Sequence, residues 1–445
     1  MEKKISILGA GESGVGAAIL AKEKGFSVFV SDFGKIKDNY KKILEENNIE
    51  YEEGKHTEEK ILTSKEIIKS PGIACKVPII KKAKEKNIKI ISEIEFAGRY
   101  TNAKKICITG SNGKTTTTLL IYEIFKNAGL NVGLAGNIGK SFALQVARSN
   151  FDYYILEISS FQLDNMYDFK ADVAIILNIT PDHLDRYNNE FQQYIKSKFR
   201  ITQNQTKNDY FIYFQDDKNI IEQIEKSEIN SQKLPFSLEK EVKNGAFVKN
   251  DTITIKINSN IMQQLATKEV NLIGQHNLQN SMASYIASEL YGIRNEVVRK
   301  TLMNFKGVEH RLEKYLTIRG IDFINDSKAT NVNSVWYALE SIDTDIVLIL
   351  GGEDKGNDYS ILDELVRKKV KTIIAMGLDN LPIHKAFDGV VEIIDTKSMK
   401  EAVNSAYLLA NKGDTVLLSP ACASFDLFKN YEDRGTKFKE EVRNL

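Results

Sequence analysis

A glycine-rich segment that carries a lysine is the part of the sequence best suited to phosphate chemistry. It reads Gly110-Ser111-Asn112-Gly113-Lys114-Thr115 and follows the apolar stretch 105–109, which we predict to be a strand that leads into a helix. In such a loop the glycines turn backbone N–H groups towards phosphate, a lysine neutralises charge and a Ser or Thr ligates magnesium. The spacing is shorter than in the usual Walker motif, because Ile108 occupies the position of the first glycine. The alternative is a glycine turn that only begins a helix.

A second glycine-rich loop lies near the start of the chain, between a predicted strand at 4–8 and a predicted helix. It reads Gly9-Ala10-Gly11-Glu12-Ser13-Gly14-Val15-Gly16, and Asp32 follows the next predicted strand, 27–30. In dinucleotide-binding folds an acidic residue at that position contacts a ribose. The pattern alone leaves three possibilities open: a nicotinamide dinucleotide, another diphosphate ligand, or a purely structural turn.

Ionisable residues follow two further predicted strands. Glu157 ends the strand 152–157, and Asp182-His183-Leu184-Asp185-Arg186 comes after the strand 172–178. A strand-end carboxylate near a phosphate loop is placed as a second magnesium ligand would be. His183 can ligate a metal through one imidazole nitrogen, with a neighbouring carboxylate orienting the ring. The alternatives are a solvated or paired glutamate and a structural histidine.

Tyr194 and Lys198 lie one turn apart on the next predicted helix and share a face of it. By itself this spacing predicts that Lys198 is a surface lysine.

The elements that must position these residues alternate between apolar strands and helices, which predicts an α/β fold with mainly parallel sheets. Three domains follow from the pattern and the length: a Rossmann-like N-terminal domain (1–98), a P-loop-type central ATPase domain (99–305) and a Rossmann-like C-terminal domain (306–445). We predict an antiparallel ribbon at 245–257 and C-terminal strands at 345–350, 371–375, 390–394 and 414–418. Ligands of open α/β sheets collect beyond the carboxyl ends of the strands, where nearly all the polar motifs fall.

Composition excludes several classes of partner. Lys plus Arg number 61 and Asp plus Glu number 60, so the chain lacks the overall positive charge typical of binding to nucleic acid or anionic membrane. Apolar runs such as 173–177 have the length of a strand, and the first residues contain no secretory apolar region. Three scattered cysteines (Cys75, Cys107 and Cys422) indicate reduced thiols. We expect a cytoplasmic monomer that has small-molecule substrates and binds neither nucleic acid nor membrane.

Several strings of the sequence together resemble the Mur ligase family, over residues 5 to about 440. They include GSNGKT at 110–115, AGNIG at 135–139, LEISSFQL at 156–163, NITPDHLDRY at 178–187, YIKSK at 194–198, GQHNLQN at 274–280, VEHRLE at 308–313, NDSKATN at 325–331, GGEDKG at 351–356 and SPACASFDLFKNYEDRG at 419–435. The last string and GAGESG at 9–14 resemble the members that add D-glutamate. The arginine-containing motif of members that add diaminopimelate or lysine is missing, and folylpolyglutamate synthetase shares only the phosphate-loop plan.

The resemblance implies three substrates (ATP, UDP-N-acetylmuramoyl-L-alanine and D-glutamate), two magnesium ions and a CO2-derived carbamate on Lys198. It assigns ATP to Gly110, Ser111, Asn112, Gly113, Lys114, Thr115, Thr116, Asn277, Asn280, Arg311 and Asp326. It assigns the UDP-substrate to Gly11, Glu12, Ser13, Gly14, Asp32, Phe33, Asn137 and His183. It assigns D-glutamate to Lys328, Thr330, Lys355, Ser424, Phe425 and Tyr431. It assigns magnesium to Thr115, Glu157, His183 and Lys198. It implies that the catalytic residues are Lys114, Glu157, His183 and Lys198.

Two positions depart from the family pattern. The arginine that often follows Asp32 in relatives is absent, with Lys35 as its possible replacement, and Glu353 stands where an aspartate is expected.

The implied reaction is the formation of an amide bond through an acyl phosphate, as a step of peptidoglycan synthesis. Three other functions stay open: a related ligase that uses another amino acid, a nicotinamide-dependent oxidoreductase built on the first glycine loop, and an ATP-dependent switch or binding module. A switch would hydrolyse ATP without an acceptor, whereas a ligase needs its amino acid.

Overall fold

The computed structural model describes residues 4–257, 260–272, 274–354 and 356–445. They form two compact units: Met1–Val270 with Gln279–Met303, and Asn271–Leu278 with Asn304–Leu445. Lys355, one of the residues predicted to bind D-glutamate, lies outside the described residues. Among the described helices, none has the length and apolar character that crossing a membrane requires.

The first unit begins with a parallel five-stranded sheet, whose strands lie in the order β3-β2-β1-β4-β5. The strands are β1 (Lys4–Leu8), β2 (Ser27–Asp32), β3 (Glu50–Glu53), β4 (Glu66–Lys69) and β5 (Lys89–Ile91). The helices between and after them are α1 (Glu12–Glu23), α2 (Asp38–Glu46), α3 (Glu58–Ile61), α4 (Pro78–Glu85) and α5 (Glu93–Gly98). Ile7, Val30 and Ile68 are buried in the core, as expected for strands covered on both faces.

A nine-stranded sheet completes the first unit, in the order β14-β13-β12-β11-β10-β9-β6-β8-β7. Its strands are β6 (Lys104–Thr109), β7 (Val132–Gly136), β8 (Tyr153–Glu157), β9 (Val173–Ile176), β10 (Tyr210–Phe214), β11 (Gln232–Ser237), β12 (Gly245–Lys249), β13 (Thr252–Ile257) and β14 (Asn260–Ala266). β12 to β14 pair antiparallel, which confirms the ribbon predicted at 245–257, and the other pairs are parallel.

The helices that follow these strands are α6 (Lys114–Asn127), α7 (Phe142–Arg148), α8 (Ser160–Leu163), α9 (Phe191–Phe199), α10 (Lys218–Glu225), α11 (Gln275–Glu289) and α12 (Asn295–Asn304). Short 3-10 helices lie at Leu184–Tyr187, Arg200–Thr202 and Thr267–Glu269. Ile106, Ile155 and Ile175 have no exposed surface, and burying such side chains contributes about 1.5–3 kcal/mol each. The buried central strands therefore hold the loops at their carboxyl ends in defined positions.

The second unit contains a six-stranded sheet in the order β15-β16-β20-β17-β18-β19. Its strands are β15 (Glu313–Ile318), β16 (Ile321–Asn325), β17 (Ile346–Leu350), β18 (Val370–Met376), β19 (Glu392–Thr396) and β20 (Thr415–Leu418). Its helices are α13 (Val332–Ser341), α14 (Asp363–Lys369), α15 (Leu381–Phe387), α16 (Met399–Leu409) and α17 (Tyr431–Arg443), with a 3-10 turn at Ser360–Leu362. Only β15 pairs antiparallel among the described strands of this sheet. The predicted α/β fold class is confirmed.

Candidate active site

The phosphate loop connects β6 to α6 and depends on glycine at its last position. Gly113 precedes α6 with a φ of +83°, in the left-handed region that side chains rarely adopt. A Cβ at Gly113 would also lie 2.4 Å from Asn280 Oδ1. The loop conformation and the close approach of α11 therefore both require this glycine.

The chain that follows β9 holds the loop in place. Asn112 N donates to Asn178 Oδ1 at 2.8 Å, and Asn178 Nδ2 donates back to the Asn112 carbonyl at 3.1 Å. Ser111 Oγ donates to the Thr180 carbonyl at 2.9 Å. These contacts fix the loop conformation before any ligand arrives, which lowers the entropy cost of binding.

Two lysine amines meet at one carbonyl of the loop. Lys114 Nζ donates to the carbonyls of Gly110 and Ser111 at 2.8 Å each, and Lys198 Nζ donates to Gly110 O at 2.8 Å. Lys198 comes from α9, is 1% exposed, and its amine lies 4.5 Å from the centre of the Tyr194 ring. The predicted shared face of Tyr194 and Lys198 is confirmed, whereas the surface position that spacing alone predicted for Lys198 is wrong.

The environment of Lys198 favours its neutral form. Burial in the protein interior, followed by the nearby charge of Lys114, holds the pKa of the Lys198 amine well below its usual range. The carboxylates of Asp182 and Glu157 oppose this shift without reversing it. A neutral amine is a nucleophile, so Lys198 is prepared for chemistry that a protonated surface lysine cannot do.

Glu157 offers a carboxylate oxygen to a cation. Its Oε1 accepts from Asn137 Nδ2 at 2.8 Å, and its backbone carbonyl accepts from Asn137 N at 2.8 Å. Oε2 is buried and has no hydrogen-bond partner within the residues that the structure describes. An orphaned carboxylate oxygen in the interior is costly unless a cation or water satisfies it. The donor set therefore fits magnesium, which prefers oxygen ligands.

His183 lies in a segment that contacts the loop after β4. Its Nε2 is 3.6 Å from Asp182 Oδ2, its side chain is 55% exposed, and its ring centre is 5.2 Å from that of Phe161. Arg186 lies over the Phe161 ring at 4.4 Å and donates to the carbonyls of Pro71 and Gly72, at 3.3 Å each. The His183 side chain is thus accessible to a ligand, while its segment is held by contacts with Phe161 and with the carbonyls of Pro71 and Gly72.

The first glycine loop leads into α1, the first helix of the chain. A Cβ at Gly14 would lie 1.9 Å from the Gly9 carbonyl oxygen, so the loop and the helix pack too closely for any side chain at position 14. Asp32 Oδ2 accepts from Ala10 N at 2.7 Å and Oδ1 accepts from Gly34 N at 2.8 Å, so this carboxylate organises the loop. Phe33 is 73% exposed beside it, an open aromatic surface.

Further residues predicted to bind nucleotide and amino acid lie in the second unit. Asp326 is buried, and its oxygens accept from Leu312 N at 3.1 Å and Ser419 Oγ at 2.8 Å. Burial raises the pKa of Asp326 to about 7, against the opposing effects of Ser419 and the Arg311 charge. Lys328 Nζ lies 5.4 Å from the centre of the Tyr431 ring.

The remaining predicted residues of this unit differ in exposure. Ser424 is buried, whereas Phe425 is 65% exposed and Thr330 is exposed. Asn277 is buried at the start of α11.

Comparison with known proteins identifies the family. Three family models match the chain: the MurD N-terminal domain at residues 4–78, the Mur ligase middle domain at 108–288, and the Mur ligase, glutamate ligase domain at 310–422. The chain belongs to the Mur ligase family.

Relatives within this family align along the whole chain. The protein of Bacteroides fragilis named UDP-N-acetylmuramoylalanine--D-glutamate ligase is 58% identical over 445 residues and covers 100% of both chains. The protein of the same name from Bacteroides thetaiotaomicron is 59% identical with the same coverage. Among solved structures, the MurC UDP-N-acetylmuramate-alanine ligase of Thermotoga maritima matches with a TM-score of 0.64 at 16% identity, covering 99% of each chain. This last likeness concerns the fold alone.

Within the first unit, the structure brings together some of the residues that the Mur ligase resemblance assigned to ligands. Lys114 and Lys198 donate to the same carbonyl, and Glu157, assigned to magnesium, accepts from Asn137, assigned to the UDP-substrate. The ligand roles of these residues, and the domain boundaries at 98/99 and 305/306, remain predictions.

Two residues of this Mur ligase site were missed in the sequence. Asn178 braces the phosphate loop from within the NITPDHLDRY string, where its strand-end position was a usable signal. Asp164 accepts from Ser197 Oγ at 2.6 Å and from Tyr187 OH at 3.1 Å, and so joins the segments that carry His183 and Lys198. No sequence pattern pointed to Asp164, because these contacts form only when α8 and α9 pack together.

Proposed function

We propose that this chain joins D-glutamate to UDP-N-acetylmuramoyl-L-alanine, using ATP, as a step of peptidoglycan precursor synthesis. The observation that carries the proposal is the convergence of Lys114 and Lys198 on the Gly110 carbonyl, in the same unit as the buried free oxygen of Glu157. This arrangement suits phosphoryl transfer, in which positioning and neutralisation of charge supply most of the catalysis. The specificity for D-glutamate is supported by the names of the relatives that match the whole chain.

ATP would bind at the phosphate loop of the first unit. Its phosphates would take the place of the loop carbonyls as partners of the Lys114 amine, and the N-terminus of α6 would favour their negative charge. Asn280, whose side chain accepts from Thr117 Oγ1 at 3.1 Å, lies close to the loop on α11. Asn277, Arg311 and Asp326 of the second unit would contact the remainder of the nucleotide.

Two magnesium ions would be held by oxygen and imidazole ligands. Thr115 and Glu157 would hold the first ion, and His183 together with a carbamate on Lys198 would hold the second. When bound, magnesium would neutralise negative charge on the phosphate oxygens and thereby make the attacked phosphorus more electrophilic. The carbamate would form when the neutral Lys198 amine attacks the carbon of CO2. A C–N bond forms, the electron pair of one C=O bond moves onto oxygen, and the nitrogen loses a proton to solvent, so that a neutral amine becomes an anionic ligand.

The reaction would proceed in two substitutions. A carboxylate oxygen of the L-alanine group attacks the γ-phosphorus, the bond to the bridging oxygen breaks, and ADP leaves with that electron pair. The D-glutamate amine then attacks the acyl carbon, phosphate departs with the C–O bond electrons, and the amine loses a proton to form the amide. Lys114 and Arg311 would stabilise the negative charge that accumulates when two anions approach each other.

The UDP-substrate would lie along the first glycine loop, between α1 and His183. Gly11, Ser13 and Gly14 surround the start of α1, whose amide groups favour a diphosphate. Glu12, Asp32 and Phe33 would contact the nucleoside end, and Asn137 and His183 the sugar.

D-Glutamate would bind in the second unit. Lysines and hydroxyl groups suit a ligand with two carboxylates, because they donate charge-assisted hydrogen bonds. Lys328, Ser424 and Tyr431 are the described polar residues proposed there, joined by Thr330, Phe425 and the undescribed Lys355. We further propose that the protein acts in the cytoplasm as a monomer.

Phosphate release from ATP tests the proposal directly. The purified protein would be given UDP-N-acetylmuramoyl-L-alanine and, in separate reactions, D-glutamate, L-glutamate, L-lysine or diaminopimelate. We expect release, and a product larger by one glutamyl residue in mass spectrometry, with D-glutamate alone. Release with another amino acid would assign the chain to a related ligase, and release without any amino acid would favour a switch. Lys114→Met, which removes the charge but keeps the side-chain length, is the control for contaminating activity.

A further inference from the structure

Ser141 connects three segments of the first unit, and Glu93 accepts from its hydroxyl. Ser141 Oγ donates to Glu93 Oε1 at 2.7 Å, and Ala143 N donates to the same oxygen at 2.6 Å. Ser141 N donates to Glu12 Oε1 at 3.3 Å. One serine therefore joins α5, the start of α7 and the start of α1.

The packing around Ser141 leaves little room for displacement. A Cβ at Gly16 on α1 would lie 2.0 Å from Ser141 Oγ, so the helix packs against the serine too closely for a side chain at position 16. Ser141 also begins α7, where its Oγ accepts from Leu144 N at 3.2 Å. The hydroxyl thus has a defined position that each of these neighbours helps to set.

The loop that ends at Ser141 begins beside Glu157. Asn137 donates to Glu157 through both its side chain and its backbone, at 2.8 Å in each case. A Cβ at Gly136, whose φ is +103°, would lie 2.1 Å from the Glu157 carbonyl. The loop 136–141 is therefore bound to Glu157 at one end and to Glu93 at the other.

Glu93 is buried, at 4% exposure. Burial raises the pKa of its carboxyl to about 7, with a further upward contribution from Glu12 and opposing hydrogen bonds from Ala143 and Ser141. Near neutral pH a part of the population is uncharged. A neutral side chain with the same acceptor oxygen should therefore replace this carboxylate.

We infer that Glu93 is a positioning residue, which seats Ser141 and thereby fixes the loop 136–141 between the start of α1 and Glu157. The inference rests on the proposed function, which assigns Glu12 and Asn137 to the UDP-substrate and Glu157 to magnesium. Glu93 contacts this part of the chain through Ser141 Oγ and Ala143 N, and the proposed function assigns it to no ligand. Losing it would weaken the binding of the UDP-substrate and leave the phosphate loop 110–115 in place.

Steady-state kinetics of two Glu93 variants and one matched control test the inference. Glu95 is the control, because it lies on the same helix, is 1% exposed, and accepts from the backbone of Tyr167 and Phe169 at 3.0 and 2.9 Å. Glu93→Ala should raise the KM for UDP-N-acetylmuramoyl-L-alanine about tenfold and change the KM for ATP by no more than about twofold. Glu93→Gln, which keeps an acceptor oxygen, should restore a near-normal KM. Glu95→Ala should lower the unfolding temperature without changing either KM.

Several results would overturn the inference: an unchanged KM in Glu93→Ala, equal KM shifts in Glu93→Ala and Glu95→Ala, or no recovery in Glu93→Gln. If Glu93→Ala does not fold, Gly16→Ala replaces it, since the added methyl would lie 2.0 Å from Ser141 Oγ, displace the serine and raise the same KM. An unchanged KM in folded Gly16→Ala would equally refute the role of Ser141.

A second measurement distinguishes failure of the proposed function from failure of the inference about Glu93. If the wild-type chain forms no product with D-glutamate, hydrogen exchange of the backbone over residues 134–141 still tests the role of Glu93. Faster exchange in Glu93→Ala than in Glu95→Ala would support the positioning of the loop, and equal exchange would refute it.

Discussion

Replacing Lys198 tests the centre of the proposed site. Lys198→Met removes the amine but keeps an apolar side chain of similar length in a position that is 1% exposed. The Gly110 carbonyl still accepts from Lys114 at 2.8 Å, so the change leaves no buried acceptor without a partner and avoids the penalty of about 1–3 kcal/mol for such a group. The fold should therefore survive, and a loss of activity should reflect the site alone.

The stability of Lys198→Met should not fall below that of the wild type near pH 7. The pKa of Lys198 is depressed in the folded chain, so the unfolded chain binds the proton more tightly. Wild-type stability therefore rises with pH, from the depressed folded pKa up to the pKa of a free lysine. The methionine variant lacks this dependence, and thermal unfolding at neutral and alkaline pH measures the difference.

Turnover should fall about 10²–10³-fold in Lys198→Met and Lys198→Ala, the usual cost of removing one electrostatic stabiliser of a transition state. A short carboxylic acid should partly rescue Lys198→Ala, where truncation leaves room for it, and should not rescue Lys198→Met, where the side chain fills that room. Wild-type enzyme depleted of CO2 should regain phosphate release when bicarbonate is added, whereas neither variant should respond. Wild-type turnover in Lys198→Ala would refute the assignment of this lysine to the magnesium site.

Three further substitutions test other parts of the site. Glu157→Gln should raise the magnesium concentration for half-maximal phosphate release at least about tenfold, and an unchanged magnesium titration would remove Glu157 from the metal. Gly113→Ala should lower turnover and should destabilise the fold more than Gly129→Ala does. Both glycines have a positive φ (83° and 79°), which costs an alanine about 1–2 kcal/mol, but only at Gly113 would the added methyl group clash with Asn280. Equal melting temperatures and equal turnover in the two variants would contradict this. In the folded chain the pKa of Asp326 is raised from 3.8 to about 7, so the protonated carboxyl stabilises the fold at low pH. This stabilisation, on the order of 4 kcal/mol, is lost as the pH rises through 7. Asp326→Asn should flatten the stability difference measured by urea unfolding between pH 5 and pH 8, and an undiminished difference would assign it to another group.

Much of the fold was predictable, because apolar runs and glycines act locally. The strand predicted at 4–8 matches β1, and the strand predicted at 105–109 differs from β6 by one residue at its start. The loop at 110–113 was predictable for the same reason, since a glycine with positive φ before a helix shapes the backbone without distant contacts. The predicted strand 390–394 is shifted by two residues from β19, a short strand in which only Thr396 is buried.

Pairs of side chains that come from separate elements were not predictable in this way. The packing of α8 against α9 brings Asp164 to Ser197, and the docking of α5 near α7 brings Glu93 to Ser141. Nothing in the spacing of these residues along the chain encodes such contacts, because each depends on the relative placement of two helices.

The sequence by itself determined the types of residue, the glycine loops, the order of strands and helices, and the resemblance to Mur ligases. Only the tertiary structure decided the environment of each group. Lys198 follows Tyr194 by one helical turn whether it is exposed or buried, and the pKa of its amine is lowered because α9 buries it against Gly110 and near Lys114. The physical reason is that a pKa depends on solvent exclusion and neighbouring charge, which are properties of the packed protein.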